Sequence, residues 1–481
     1  MNLNDLPLQD TSMPAHLPTL TAALALQRKA HRARPVSSHA ERIADLKKLR
    51  AFLLEHQDAI CDAINLDYGH RSRVETRLAE IAPAVDGIKH VISHLKGWMR
   101  PQRRKVDLIS FPGARNRVTP QPLGVVGVIV PWNFPINLSF VPLTYIFAAG
   151  NRAMVKMSEN SRHLARLLID KLPAYFPPDK LQVFDETGGV GVAFSQLRFD
   201  HLLFTGSGTT GRAVMAAAAT NLCPVTLELG GKSPAIVCDS FPLRTAVQRI
   251  MFVKCMNAGQ ICTSVDHAWL PKARIDQFVQ LARGHVQKSF GSLASPDYTS
   301  IIDQRSFDRL LAALDEAREG GATVVPLLPG PAFDAASRKI APHIVIDAAA
   351  DTALMRREIF GPILPLRGYQ RIDEAIEAIN DGERPLAVYP FSRDRAQVQH
   401  IIDHLMSGGV SVNDALFHVA QHDLPFGGVG ASGMGHYHGR EGFETFSKMR
   451  PVFHQAPISA LKFIGPPYGR FAEMLLKFLI R

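Results

Sequence analysis

The strongest folding signal in the chain is DHLLFTGSGTTGRAVMAAAA, at residues 200–219. Its first residues, Asp200 to Phe204, are mostly apolar and predict a buried strand. A glycine-rich turn, GSGTTG, follows at residues 206–211, and the alanine-rich segment Gly208 to Ala219 predicts a helix. A strand, a glycine turn and a helix in this order are typical of sheets whose parallel strands are connected by helices.

Short apolar runs alternate with helical stretches on both sides of this segment. Further strands are predicted at Leu123 to Val130, Ala153 to Lys156, Gln182 to Phe184 and Val225 to Glu228. Helices are predicted at Pro135 to Ala149 and Ser161 to Leu172. Strands that are apolar throughout and separated by helices pair in parallel, with right-handed crossovers. They predict a doubly wound α/β sheet, which binds ligands at the carboxyl ends of its strands.

A second series of the same kind runs from Gly230-Gly231 to about Asn413. Its candidate strands are Pro234 to Val237, His267 to Pro271, Ile363 to Leu366 and Gly409 to Val412. The 481 residues exceed what one hydrophobic core usually serves. We therefore predict two α/β domains that meet near Glu228.

The segments before the first sheet predict helices and a small arm. Ser38 and Glu41 form a capping-box pattern that starts an amphipathic helix. Val106 to Phe111 and Asn116 to Gln121 flank the turn residues Pro112-Gly113 and predict two paired strands. Such an arm often serves oligomerisation.

Composition excludes several classes of protein. Hydrophobic residues make up 46% and charged residues 20%, as in ordinary globular chains rather than disordered or fibrous ones. The net charge of +10 is modest for this length, and no nucleic-acid-binding motif accompanies it. Five irregularly spaced cysteines do not make a disulfide framework, so we expect reduced thiols in the cytoplasm.

No segment predicts a membrane span. Asp5 and Asp10 argue against a secretory or transit peptide at the N-terminus. The apolar stretch Phe471 to Ile480 contains Glu473 and Lys477, and we interpret it as a packing helix rather than a membrane-surface anchor.

Two roles compete for Glu228. The turn at residues 206–211 matches the motif G-x-G-x-x-G and lies between a predicted strand and a predicted helix. Backbone amides at such a turn bind a pyrophosphate. The alternative is a glycine turn that binds no ligand. Glu228 lies near the spacing of the acid that binds a ribose in such sites. It also precedes Cys262 by 34 positions, and the glycine-flanked loop around Cys262 is suited to presenting a reactive thiol. By contrast, Cys61, Cys223 and Cys238 are interpreted as small core residues.

Seven short motifs occur in the order and at the spacings of the aldehyde dehydrogenase superfamily. They are PWNFP at 131–135, KMSE at 156–159, FTGS at 204–207, ELGGKSP at 228–234, GQIC at 259–262, EIFGP at 358–362 and PFGG at 425–428. The chain resembles that superfamily over roughly residues 40 to 450. The resemblance implies oxidation of an aldehyde to a carboxylic acid with NAD or NADP.

The resemblance implies three catalytic residues. Cys262 resembles the nucleophile that forms a thiohemiacetal and then a thioester. The Asn133 side chain, with the backbone N–H of Cys262, resembles the oxyanion hole. Glu228 resembles the general base that activates water, a role that suits a carboxyl whose pKa is raised by partial burial. The resemblance therefore favours the catalytic role of Glu228 over the ribose-binding role.

The resemblance also implies a cofactor site. Its residues are Trp132, Lys156, Glu159, Gly206, Ser207, Gly211, Glu358 and Phe360. Lys156 and Glu159 would hold the adenosine ribose, Ser207 and its neighbours the diphosphate, and Glu358 the nicotinamide ribose. Glu159 would repel a 2′-phosphate, so NAD is favoured over NADP. Gly208 replaces the threonine that is usual in the phosphate turn, which should loosen the turn.

Under this resemblance the fold is a Rossmann-like cofactor domain and a catalytic domain, both doubly wound, plus a small β oligomerisation arm. Residues 1–105 are predicted to form the N-terminal helices and the first part of the cofactor domain, and residues 106–121 the arm. The NAD(P)-binding domain is predicted at 122–228 and the catalytic domain at 229–420. Residues 421–481 are predicted to form a C-terminal interface segment. We expect a homodimer or homotetramer that binds a small aldehyde, without nucleic acid. We also expect no metal, since His436 and His438 lack a third ligand.

Three segments resemble the coniferyl aldehyde dehydrogenase branch of the superfamily. They are Asp67 to Ser72, Trp98 to Pro101 and Gly435 to Phe443. The resemblance implies an aromatic substrate such as coniferyl aldehyde, oxidised to ferulate, with a medium- or long-chain aliphatic aldehyde as the alternative. None of the segments lies obviously in the catalytic tunnel, so we interpret them as evidence of ancestry more than of chemistry.

Overall fold

The structure is a computed structural model that describes residues 17–108, 110–457 and 465–480. The prediction made from Asp5 and Asp10 lies outside the described residues. The longer α-helices of the described residues are Leu17–Ala33, His39–Glu55, Gln57–Tyr68, Ala82–Trp98, Asn137–Ala148, Arg162–Lys171, Gly208–Ala219, Leu243–Cys255, Ile275–Phe290, Gln304–Glu319, Ile372–Asn380, Arg395–His404 and Arg470–Leu479. None of the helices in these ranges combines the length and apolar character needed to cross a bilayer.

A six-stranded sheet, called the first sheet, forms the N-terminal half of the fold. Its strands lie in the order Gly433–Met434, Val225–Leu229, His201–Gly206, Val125–Ile129, Arg152–Lys156 and Leu181–Phe184. The last five are parallel, and Gly433–Met434 pairs antiparallel with Val225–Leu229. Helix Leu17–Ala33 packs Leu20 and Leu24 against one face, while helices from His39 to Trp98 cover the other. Burial of both faces explains the apolar strands.

A seven-stranded sheet, called the second sheet, forms the other half. Its strands lie in the order Thr323–Pro326, His343–Ile346, Ile363–Tyr369, His267–Pro271, Pro234–Val237, Ala387–Phe391 and Gly409–Val410. Separate apolar clusters cover its two faces. The predicted α/β class with two doubly wound sheets is confirmed, while the domain bounds stay predictions. Sequence analysis missed three strands of this sheet, Thr323–Pro326, His343–Ile346 and Ala387–Phe391.

The β arm differs from the predicted hairpin. Strand Arg115–Pro122 pairs with Gln102–Arg104 on one side and with Ser447–His454 on the other, both antiparallel. The prediction of a strand from Val106 to Phe111 was wrong, since the described residues of that segment form turns and irregular backbone. Gln102–Arg104 is polar and lies on an exposed edge, so backbone pairing rather than burial makes it a strand.

Candidate active site

The parallel strands of the first sheet end at the predicted site residues. Asn133 follows strand Val125–Ile129, and Lys156 ends its own strand. Ser207 follows strand His201–Gly206, and Glu228 lies near the end of strand Val225–Leu229. Cys262 comes from the second sheet's half, in the connection between helix Leu243–Cys255 and strand His267–Pro271. Because the carboxyl ends of parallel strands share one edge, residues far apart in sequence meet there.

Cys262 and Glu228 line the same cavity, which has a volume of about 350 Å³. Its walls are mainly apolar and include Leu138, Val141, Phe252, Leu416, Val419 and Phe426. A concave, mostly apolar cavity with a few polar groups is the usual form of a small-molecule site. The structure therefore brings the predicted nucleophile and the predicted base to one substrate-sized space.

The backbone before Cys262 is tightly constrained. Asn257, Ala258 and Gly259 have φ values of 50°, 50° and 73°, in the left-handed region. A β-carbon on Gly259 would lie 2.3 Å from the Gly361 carbonyl oxygen, so only glycine fits there. Burial, with the nearby Glu358 and Glu228 carboxylates, raises the pKa of the Cys262 thiol to about 12. The resting thiol is therefore protonated.

Glu228 is more buried than expected. Its side chain is 3% exposed, and neither carboxylate oxygen has a hydrogen-bond partner among the described residues. This burial raises the pKa of Glu228 well above its ordinary value. The carboxyl is poised to hold or accept a proton next to the cavity.

The backbone of Asn133 is anchored by three donors. Its carbonyl accepts hydrogen bonds from the Tyr68 hydroxyl at 3.1 Å, Arg71 Nη1 at 3.0 Å and Asn257 Nδ2 at 3.3 Å. The Asn133 side-chain Nδ2 donates to the Gln260 carbonyl at 3.3 Å. The amide thus lies beside the loop that leads to Cys262.

Lys156 has a partner that sequence analysis missed. Its ammonium lies 2.5 Å from Glu186 Oε2, and the lysine is only 7% exposed. Glu186 follows strand Leu181–Phe184 at the same sheet edge, and this position is the signal that could have identified it. Glu159 is exposed and accepts a hydrogen bond from Ser158 Oγ at 3.2 Å.

The phosphate turn keeps its expected form despite Gly208. Ser207 caps the helix Gly208–Ala219 and accepts a hydrogen bond from the Thr210 N–H at 3.2 Å. Gly206 ends the preceding strand, and a β-carbon on Gly211 would lie 2.6 Å from Leu229 Cδ2, so glycine permits close packing of helix against strand. The donors at this helix start fit a pyrophosphate.

The residues predicted to contact the nicotinamide and its ribose also lie close together. The Trp132 and Phe360 rings meet edge to face at 5.4 Å, and Phe360 has a φ of 51°. The Gly231 N–H donates to Glu358, and desolvation, together with the charge of Asp266, raises the pKa of Glu358 to about 8. These residues fit the ribose and ring of a dinucleotide.

The C-terminal segment contributes a wall that sequence analysis missed. Phe426, Tyr437 and His438 line the cavity, and the Phe426 and His438 rings stack at 5.5 Å. Burial lowers the pKa of His438 to about 3, so this imidazole is neutral. Among the described residues, no group of three or more His, Cys, Asp or Glu side chains is arranged to hold a metal ion.

Comparison with known proteins identifies the family of the chain. The sequence profile of the aldehyde dehydrogenase family matches residues 15–452. The chain is 49% identical to a probable coniferyl aldehyde dehydrogenase of Pseudomonas aeruginosa, covering 95% of both chains, and 44% identical to the coniferyl aldehyde dehydrogenase of Pseudomonas sp. strain HR199, covering 97% of both. The structure of substrate-bound AldH from Staphylococcus aureus superposes with a TM-score of 0.89 at 33% identity, covering 95% of this chain and 99% of that one. The chain therefore belongs to the aldehyde dehydrogenase family and is an oxidoreductase that acts on the aldehyde group.

Proposed function

We propose that this enzyme oxidises an aromatic aldehyde of the phenylpropanoid class, such as coniferyl aldehyde to ferulate, with NAD as its cofactor. The main support for this substrate is the near full-length similarity to the two coniferyl aldehyde dehydrogenases. The cavity supports it, because the His422 ring lies on its mainly apolar wall and His422 Nε2 is 3.0 Å from Asp86 Oδ2. An aromatic ring with polar substituents suits such a wall.

The proposed chemistry uses the three predicted catalytic residues. The Cys262 thiol gives its proton to solvent and its sulfur attacks the aldehyde carbon, while the Asn133 amide and the Cys262 N–H bind the resulting oxyanion. When bound, the nicotinamide supplies the acceptor for the hydride that leaves this carbon. Glu228 then takes a proton from water, whose oxygen attacks the thioester and releases the acid and the Cys262 thiolate.

The ribose edge of the site supports NAD over NADP. Glu186 neutralises Lys156, so the charge that could attract a 2′-phosphate is already paired. Glu159 adds a second carboxylate close to this edge. A phosphate dianion beside two carboxylates is disfavoured by like-charge repulsion.

Assembly and location are part of the same proposal. The three-stranded arm supports a homodimer or homotetramer. The five free cysteines support a reducing, cytoplasmic location, because none forms a disulfide.

The test compares kcat/KM for coniferyl aldehyde, benzaldehyde, hexanal and decanal, each with NAD and with NADP. We expect coniferyl aldehyde with NAD to be preferred by about tenfold or more, the order of discrimination that a shaped pocket gives. Cys262→Ala is the control, and it should abolish NADH production while leaving NAD affinity unchanged. A preference for hexanal or decanal would contradict the aromatic substrate, and turnover by Cys262→Ala would remove this thiol from the mechanism.

A further inference from the structure

Three charged side chains, two of them fully buried, form an ion network next to Asn133. Arg71 and Glu80 have fully buried side chains, and that of Glu75 is 13% exposed. Arg71 Nη1 lies 2.8 Å from Glu80 Oε1, and Arg71 Nε lies 3.5 Å from Glu75 Oε1. Burying charges costs desolvation energy, and apolar residues often stabilise a core as well or better. A geometric role is therefore a better explanation of this network than stability.

Glu80 fixes the backbone just after Asn133. Its Oε2 accepts hydrogen bonds from the backbone N–H groups of Ile136 at 2.7 Å and Asn137 at 3.2 Å. These residues begin the helix Asn137–Ala148. One carboxylate oxygen thus holds the turn that carries Asn133, while the other holds Arg71.

Glu75 fixes the backbone that leads to Cys262. Its Oε2 accepts a hydrogen bond from the Asn257 N–H at 2.9 Å, and its Oε1 accepts one from the Thr299 hydroxyl at 2.9 Å. Asn257 is the first residue of the left-handed run before Cys262. The second carboxylate therefore restrains the other segment that bears an oxyanion donor.

Arg71 connects the segment that carries Asn133 with the segment that leads to Cys262. Its guanidinium lies between the Tyr68 and Phe134 rings, 5.1 and 4.9 Å from their centroids. From there it donates directly to the Asn133 carbonyl at 3.0 Å. The planar guanidinium can face two carboxylates and a carbonyl at once, which an ammonium group does less well.

We propose that Arg71 is a positioning residue for the oxyanion hole, setting the Asn133 amide relative to the Cys262 N–H through Glu80 and Glu75. This inference rests on the proposed roles of Asn133 and Cys262, and it is independent of which aldehyde is the substrate. Donors must point at the developing oxyanion, so a small displacement of either one slows hydride formation without weakening cofactor binding.

The test is a double-mutant cycle with Arg71→Met, Asn133→Ala and the double variant, measuring single-turnover NADH formation at saturating aldehyde and NAD. We expect each single variant to lose about 10²-fold in rate, the usual effect of removing one oxyanion donor. Because Arg71 acts through Asn133, the double variant should stay within about threefold of Asn133→Ala. NAD affinity should stay at the wild-type value in all of them.

Two further variants complete the experiment. Arg71→Lys keeps the charge and should restore part of the rate, and it replaces Arg71→Met in the cycle if that variant does not fold. Arg77→Met removes an exposed arginine, paired with Asp58, from the same segment and should leave the rate unchanged.

The outcomes separate the inference from the proposed mechanism. Losses that multiply in the double variant, to about 10⁴-fold, would overturn the positioning role. A wild-type rate in Asn133→Ala would instead overturn the proposed oxyanion role of Asn133 itself.

Discussion

Glu228 shows how the surroundings of one residue set its chemistry. It lines the cavity with Cys262, yet its carboxylate has no hydrogen-bond partner among the described residues. Desolvation therefore controls its protonation, and the pKa of Glu228 is raised. A carboxyl of this kind is a stronger base than an exposed one once it is ionised.

Glu228→Gln should separate the two halves of the reaction. Hydride transfer from the Cys262 adduct does not need the carboxylate, so a stoichiometric burst of NADH should remain. Steady-state turnover should fall about 10²- to 10⁴-fold, the usual contribution of a general base. Stopped-flow absorbance at the NADH band measures both phases.

The same substitution should also change how the thermal stability of the protein depends on pH. In the unfolded chain this carboxyl ionises near its ordinary pKa of about 4.3, whereas the folded protein keeps the proton to higher pH. The folded state therefore binds more protons across that interval, and its stability falls as the pH rises. Glu228→Gln should raise Tm at about pH 8 and by less at about pH 5.

A matched control is Glu377→Gln on an exposed helix face, which should change neither the burst nor Tm. A wild-type turnover rate in Glu228→Gln would show that another group activates water.

Individual site residues divide into those that sequence reveals and those that it does not. Cys262 and Glu228 lie in glycine-rich motifs whose spacing is visible along the chain. Arg71, Glu80 and Glu186 act through partners 62, 56 and 30 positions away, and no local pattern marks such contacts. Arg71 lies in a segment that was interpreted as evidence of ancestry more than of chemistry, and the structure shows that Arg71 contacts Asn133.

Among the loops, the left-handed run before Cys262 is the most sensitive to substitution. Gly259→Ala would push a methyl group into the Gly361 carbonyl at a φ of 73°. We expect a loss of stability of about 2 kcal/mol or more, because alanine is strained at this φ and the backbone cannot move freely. We also expect kcat to fall about tenfold or more, since the Cys262 N–H shifts.

Gly284→Ala provides the matched control. Gly284 lies in the exposed face of helix Ile275–Phe290, and an added β-carbon meets no atom within 4 Å. This substitution should stabilise the fold by up to about 1 kcal/mol and leave kcat unchanged. Urea unfolding and initial rates measure both variants, and equal effects of the two substitutions would contradict the constrained loop.

At the level of strands, local burial explains what could be predicted. Pro234–Val237 and His267–Pro271 are short, wholly buried runs, and the structure has them with the predicted bounds. Ala387–Phe391 was missed because Pro390 lies within it, and proline normally argues against a strand inside a sheet. Gln102–Arg104 was missed because its pairing partner, not its own pattern, makes it extended.

For the whole molecule, the arm provides a test of assembly. Phe111 and Phe453 are 42% and 50% exposed and meet edge to face at 5.6 Å. Exposed aromatic pairs of this kind are typical anchors of subunit interfaces. Phe453→Lys should therefore weaken subunit association by about 10- to 100-fold, measured as molar mass by light scattering over a dilution series.

The control is Leu66→Lys, which places the same charge on a leucine that is 60% exposed on helix Gln57–Tyr68. It should leave the molar mass of the assembly unchanged. A monomeric wild-type chain, or equal dissociation of both variants, would refute an arm-based assembly.

Two strands late in the sequence pair with the edges of sheets whose other strands come much earlier in the sequence. Gly433 pairs with Glu228 at the edge of the first sheet, and Ser447–His454 pairs with Arg115–Pro122 along its whole length. Synthesis proceeds from the N-terminus, so Glu228 and strand Arg115–Pro122 leave the ribosome long before the strands that pair with them. The cavity that Cys262 lines consequently gains its C-terminal walls, Phe426, Tyr437 and His438, late in translation. A chain that stalls before these residues exposes two unpaired strand edges to aggregation.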